Sequence, residues 1–387
     1  METIRFFGRL LTHPFARQPA ADRGPHRVAA VILVVLSATL PSSCMSSPHL
    51  ASASASAAGT AGARPIIVQS RLQLASPETL PAFAGFYRVA AEGPVIPGLL
   101  QGAVPQGLAF DPHDNLILIS AYFDVSLPSV LMALNGTTGK LAKTVWLAGT
   151  DGTPLDGHVG GLAISPSFLW VASDIGVYRY KLTDFDAAAD GAALLSDGLF
   201  STDVVASFAT YSDGVLWVGE FAYYGLGGGD YQTETSHHLS APDGSAHHAL
   251  VAGYRIDTPS AAIHGEVPDY LVSIPDRVQG IAFFDSDLYL SLSYGRRNES
   301  TLEAYRNPLE SPPALEFASR SGKRIPLWFL DSGNRVSSTA APPMMEGIAP
   351  VSDRLLILFE SGAEKYRSTG TWPIDHMESV GSLSAGG

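Results

Sequence analysis

The sequence predicts an all-β chain folded as a single β-propeller of five or six four-stranded blades. Three observations predict it. A two-part apolar motif recurs five times along the 387 residues. Its copies start roughly 45 to 75 residues apart, which is room for four short strands and their loops, one blade. The composition is that of a turn-rich chain, with 38 Gly, 27 Pro and only 16% charged residues.

The first part of the motif falls at 104–109, 158–163, 204–209, 278–282 and 345–349, and the second at 116–120, 169–173, 216–220, 288–292 and 355–359. Each run is short, rich in Leu, Ile, Val, Trp and Tyr, and bounded by Asp, Ser, Gly or Pro, the pattern of a strand. The connectors at 111–115 and 212–214 have hairpin-turn chemistry. One blade cannot bury both faces of its sheet, but a ring can. The small residues of the Gly-Leu/Ile-Ala positions suit an innermost strand, where neighbouring blades crowd the axis. A β-sandwich with coincidental repeats is the competing arrangement.

Taken in order, residues 1–27 carry Arg5, Arg9, Arg17, Arg23 and Arg27 against Glu2 and Asp22, and 28–40 are apolar and uncharged. Residues 1–44 thus read as an export signal, or, if the apolar run extends to Met45, as an uncleaved anchor. Cys44, the single cysteine, follows small residues as in a bacterial lipobox, although Pro41 stands where an aliphatic residue is usual. Two readings stay open: lipidation at Cys44, or cleavage nearby and simple secretion. Either way the expected location is extracytoplasmic, with membrane contact only through an N-terminal lipid or anchor. Residues 45–64 are a Ser/Ala/Gly tether, and 65–387 form the propeller, expected to be monomeric and free of disulfides.

Within the propeller, 66–69 and 86–89 each look like a strand. One of them closes the ring through the last blade, or both seed a sixth. Residues 104–149 make a whole blade, 158 to about 200 the next, and the fifth ends on 363–367 and 377–380. The third blade carries about thirty extra residues between Glu220 and a strand at 250–255. These contain a Gly-rich stretch, 225–229, and four of the eleven histidines, His237, His238, His247 and His248. A long loop of this kind more often lines a site than fills space. The spacing is not that of a zinc site, and the Gly-rich stretch lacks the Lys-Ser/Thr of a phosphate loop. The loop reads first as solvated and polar, and the alternative is that one of its histidines reaches back over the Glu220 rim.

Antiparallel strands place the start of each inner strand beside the end of the second. One rim near the axis should therefore gather Gln106, Gly160, Ala206, Gln279 and Glu346 with Ser120, Asp174, Glu220, Ser293 and Glu360. Clustered carboxylates need a cation or a retained proton. Oxygen-only ligands favour a divalent cation of the calcium type, with Glu346, Glu360, Asp174 and Glu220 as candidate ligands. His158 is the candidate base, and Gln106, Gln279 and Arg296 are candidate ligand-binding groups. Ser293 and Ser361 sit in tight turns without a nucleophile elbow around them.

From Cys44 onward there are 19 basic against 35 acidic residues, a net charge of −16. With no basic stripe, a nucleic-acid partner is not expected. The expected partner is a small molecule or an envelope protein.

The inner-strand pattern, with Gln106-Gly107-Leu108-Ala109 and Leu169-Trp170-Val171-Ala172, resembles extracytoplasmic propellers of the gluconolactonase-like and NHL-repeat type. Val278-Gln279-Gly280, Ser293-Tyr294-Gly295-Arg296, Trp217-Val218-Gly219-Glu220-Phe221 and Leu358-Phe359-Glu360-Ser361 look like secreted actinobacterial propellers of no assigned reaction. The first resemblance implies an axial divalent ion held by Glu, Asn-type and Asp ligands. Here the rim offers Glu, Gln and Asp174 but no Asn, which departs from the lactonase pattern. The leading expectation is a propeller that binds a ligand or partner at an acidic axial rim. The alternative is a divalent-metal-dependent hydrolase of lactonase or esterase type, and a third is an envelope scaffold working through its lateral surface.

Overall fold

A computed structural model describes residues 64–225, 231–257, 262–263, 267–319 and 321–383. The segments expected to be an export signal and a tether, with Cys44, lie outside them, as does most of the Gly-rich stretch. Among the described residues the strands form a ring of five blades. Blade 1 runs Ala103–Asp111, Leu116–Phe123, Val130–Asn135 and Leu141–Ala148 from the axis outward. Blade 2 is Gly161–Ser165, Phe168–Ser173, Gly176–Lys181 and Gly198–Phe200, and blade 3 is Phe208–Ser212, Val215–Gly219, Ala249–Asp257 and Tyr270–Ile274. Blade 4 is Val278–Phe284, Asp287–Leu292, Ser300–Arg306 and Arg335–Ala341. Blade 5 takes Met345–Val351, Arg354–Phe359 and His376–Val380 from the end of the chain and its outer strand, Ala90–Val95, from the beginning. The ring is thus sealed by pairing its two ends.

Three local expectations are corrected. Residues 66–69 join no sheet: Gln69 Nε2 donates instead to the Val95 and Gly139 carbonyls (both 2.7 Å). Residues 86–89 form no strand either. Pro77 and Pro81 open 3-10 turns and the chain enters a one-turn helix, Ala84–Tyr87, which buries Phe86 between blades 4 and 5. The sealing strand is therefore Ala90–Val95, and no sixth blade forms among the described residues. Residues 363–367 are helical (Glu364–Arg367), with Glu364 in the first turn and Lys365 and Arg367 in the last, the charge order a helix dipole favours.

The seal is locked by charge. Asp375 accepts from Leu72 N (2.5 Å) and Arg71 Nη1 (3.1 Å), and Arg71 also pairs with Glu92. Burial disfavours the imidazolium of His376, but hydrogen bonds to Asp375 and Glu378 outweigh it and push its pKa up to about 9.

The inner strands contact one another in sequence around the axis, the fifth closing on the first. Small residues make this possible. A Cβ on Gly161 would lie 2.2 Å from Ala209 N, and one on Gly347 would lie 2.7 Å from Leu108 N. Between blades the core is aromatic and aliphatic. Trp217, for example, stacks on Tyr270 (5.8 Å) and tilts against Phe283 (5.3 Å) at the junction of blades 3 and 4.

Blades 2 and 4 each lend a strand to the blade before them. After its third strand, blade 2 detours through Ala193–Leu195, parallel to the outer strand of blade 1, before returning as Gly198–Phe200. Blade 4 does the same through the hairpin Leu315–Ala318 and Arg324–Phe329, whose second strand runs parallel to the outer strand of blade 3.

Candidate functional site

Three of the five inner strands are broken at the same place. The register shifts between Pro105 and Leu108 in blade 1, between Val278 and Gly280 in blade 4, and between Met345 and Ile348 in blade 5. Each bulge carries a polar residue followed by glycine: Gln106-Gly107, Gln279-Gly280, Glu346-Gly347. A bulge bends the strand and re-aims a side chain. Serines of the second strands fix these bends. Ser120 Oγ accepts from Gly107 N (3.0 Å) and donates to Val159 O (2.6 Å), and Ser291 Oγ donates to Glu346 O (2.6 Å).

Gln106 and Glu346 meet Glu360, which follows the second strand of blade 5, and Gln279 meets Glu346. Gln106 Nε2 donates to Glu360 Oε2 (2.8 Å) and Gln279 Nε2 to Glu346 Oε1 (3.3 Å). Glu346 and Glu360 are hydrogen-bonded to each other. Two carboxyl groups can hold that contact by sharing a proton or by binding a cation between them. Burial, then the neighbouring Glu360 charge, raises the pKa of Glu346 well above the usual carboxylate range. Burial pushes Glu360 up to about 7, moderated by the hydrogen bonds from Gln106 and Glu346 and by the charges of Lys365 and Arg296. Glu346 is buried, whereas Glu360 is half-buried.

The pair lies in a cavity of about 670 Å³ on the axis. One wall is aromatic: Tyr294 stacks on Tyr223 (3.6 Å), and Phe221 meets Tyr231 edge-on (5.0 Å). Another is cationic. Lys365 Nζ donates to Tyr122 Oη (3.2 Å) and Asp124 Oδ1 (3.0 Å), while Arg296 lies over the Tyr366 ring (4.9 Å) and donates to Thr369 Oγ1 (2.9 Å). The Tyr122 and Tyr366 hydroxyls are 3.2 Å apart, and burial raises both pKa values. His158 lines the same cavity edge-on to Tyr122 (4.3 Å). Desolvation lowers its pKa against the opposing pull of Asp174.

The structure therefore brings Gln106, Gln279, Glu346 and Glu360 together, with Arg296, His158 and Asp174 on the cavity wall. It does not bring Glu220 there. Glu220 is buried and accepts from Val205 N (3.2 Å), Leu250 N (3.1 Å) and His237 Nδ1 (3.0 Å to each oxygen). It pins the long blade 3 loop, whose Tyr231, Gln232 and Thr233 face the cavity. The expected cluster of four carboxylates is thus not assembled: Asp174 is exposed on the wall and Glu220 lies outside the cavity. Among the described residues no group of three or more His, Cys, Asp or Glu converges. Of the serines, Ser361 Oγ accepts from Ile374 N (3.0 Å), and Ser293 accepts from Ser300 Oγ (3.1 Å).

The fold and the cavity define a five-bladed β-propeller with a pair of glutamates, Glu346 and Glu360, in a cavity on its axis. No known protein-family profile matches the sequence, and no curated protein does. Among solved structures the chain is similar to the GH43_1 enzyme from Xanthomonas citri complexed with xylose, at 10% identity and a TM-score of 0.44 over 79% of this chain and 93% of that one. It is similar to the glutaminyl cyclase of Myxococcus xanthus at 10% and 0.38, over 76% and 97%. It is also similar to a gluconolactonase from Xanthomonas campestris at 12% and 0.32, over 76% and 95%. These are distant propeller likenesses and reach no further than the fold.

Proposed function

We propose that the protein binds a small polar molecule in the axial cavity, recognised by the Glu346–Glu360 pair and the flanking Gln106 and Gln279. One observation carries this: the ring does not need the acid pair. Blades 2 and 3 close the same axis with Gly160 and Ala206, at no electrostatic cost. Two carboxyl groups held together away from water cost stability, and groups perturbed in this way collect at functional sites. The cavity volume is within the range of small-molecule sites, and an apolar wall with a few convergent polar groups is their usual make-up.

A divalent cation is the second reading, favoured by the oxygens of Glu346, Glu360, Gln106 and Gln279 lying together. As arranged they do not suit one. Both carboxamides turn their N–H groups toward the carboxyl groups, so a cation of the calcium type would have to displace any shared proton and turn both amides. Extracytoplasmic location, by secretion or through a lipid on Cys44, belongs to the same proposal and rests on the sequence of residues 1–44. A monomeric state belongs to the proposal as well.

Thermal melts of the metal-stripped full chain, with calcium, magnesium, manganese and zinc and with a panel of small organic molecules, separate the two readings. The ligand reading expects stabilisation by an organic molecule, without added metal, that Glu360→Gln removes. A rise specific to one cation and lost in Glu346→Gln and Glu360→Gln would transfer the site to an ion.

A further inference from the structure

We propose that the axial cavity takes a small organic amine in its ammonium form, its N–H groups donating to Glu346 and Glu360 and its carbon skeleton lying against the aromatic wall. This rests on the ligand-binding reading and goes further by naming the class of ligand.

A missing partner carries the proposal. Four glutamates are buried among the described residues: Glu220, Glu303, Glu346 and Glu378. Three of them have a basic group at hand. His237 lies 3.0 Å from Glu220, Arg335 3.1 Å from Glu303 and His376 3.2 Å from Glu378. Glu346, only 3% exposed, has instead the Gln279 carboxamide and a second acid, Glu360. The cations of the cavity are committed elsewhere. Lys365 is held by Asp124 and Tyr122, and Arg296 by Thr369 and the face of Tyr366. A buried carboxylate without a counter-ion is costly, and the space beside this one is the cavity. The fold thus supplies a basic partner to each buried glutamate except the one that a ligand can reach.

Hydrogen bonding selects an ammonium over a metal ion. Gln106 commits its amide nitrogen to Pro105 O and Glu360 Oε2 (both 2.8 Å), and Gln279 turns its own toward Glu346. Amide N–H groups repel a metal ion, which seeks oxygen ligands. They leave room for a donor, because an ionised carboxyl group offers about four acceptor sites. The aromatic wall selects again. Phe221, Tyr231 and Tyr294 line the cavity on one side. Their ring faces attract an organic cation and cover its hydrocarbon part.

The test titrates the metal-stripped full chain calorimetrically with benzylamine and with benzyl alcohol, which has nearly the same shape and no charge. Benzylamine is expected to bind at least about tenfold more tightly than the alcohol, the difference that a charged hydrogen bond makes. Glu360→Gln should weaken amine binding by about tenfold, and Tyr294→Leu by about threefold. Should Glu360→Gln fail to melt cooperatively, Tyr294→Leu carries the comparison. Alcohol bound as tightly as the amine, and lost alike in Glu360→Gln, would overturn the ammonium and leave the ligand reading standing. Amine binding unchanged in both variants would put the amine outside the cavity and overturn the proposal. Binding of neither probe would also overturn it, and the ligand reading falls with it only if no other organic molecule stabilises the chain.

Discussion

Blades 1, 4 and 5 and blades 2 and 3 start from the same repeat and meet the axis differently. In the first group the inner strand bulges at a polar-Gly pair and delivers Gln106, Gln279 or Glu346 to the centre. In the second the strand is unbroken, begins later, at Gly161 or Phe208, and brings no functional group to the centre. One side of the ring is closed by packing alone. The other spends packing regularity on chemistry. The lesson is that a repeat fixes where a site lies, whereas departures from the repeat fix what it contains.

The comparison can be broken at its packed side first. Gly161→Ala puts a Cβ against the backbone of blade 3 and should cost about 3 kcal/mol, read as a fall in melting temperature. A loss below about 1 kcal/mol would mean that the axis is looser than the contacts imply. On the polar side, Glu360→Gln should raise the stability of the ligand-free protein at pH 8 by about 1 kcal/mol, less than the whole pKa shift would give because the group is half-open to the cavity. The sign follows from linkage. A carboxyl whose folded pKa is raised keeps its contribution below the ordinary value near 4.5 and loses it as pH rises through about 7. The variant and parent should therefore converge near pH 4.5 in a pH series of melts, and a constant gap would refute the shared proton. The smallest effect is expected at Asp174→Asn, which removes an exposed carboxylate from the packed side's wall. Its stability should change by less than about 0.5 kcal/mol, and organic-ligand binding should survive.

Much of this was legible in the sequence. Spacing and small residues predict the ring, and strand antiparallelism predicts that Gln106, Gln279, Glu346 and Glu360 converge. Two kinds of information were not legible. A bulge leaves its mark only as a polar residue before glycine, recurring in three repeats of five, and that signal passes for the general smallness of the inner strand. Competition for a side chain leaves only a faint mark: Glu220 occupies the same repeat position as Glu360, but His237 of the long loop and the backbone N–H groups of Val205 and Leu250 claim it, and the spacing of the loop histidines does not say which of them arrives. Nor does the pattern of the runs expose the aromatic wall, although Phe221 and Tyr294 each follow a second strand by two residues, a repeated signal in retrospect. The closing strand was misplaced because 86–89 has strand composition, while burial of Phe86 and the two prolines before it favour a turn of helix.

The borrowed strands of blades 2 and 4 have a consequence for how the ring comes apart. In a simple array each repeat touches its neighbours through side chains only, and opening proceeds one repeat at a time from a free end. Here Trp146 and Val272, on the outer strands of blades 1 and 3, face backbone supplied by the blade that follows. Blade 1 cannot detach without stripping a strand from blade 2, nor blade 3 without stripping a hairpin from blade 4. The five repeats thus melt as two interlocked pairs joined through the sealed fifth, which makes cooperativity a property of the detours rather than of the repeats themselves.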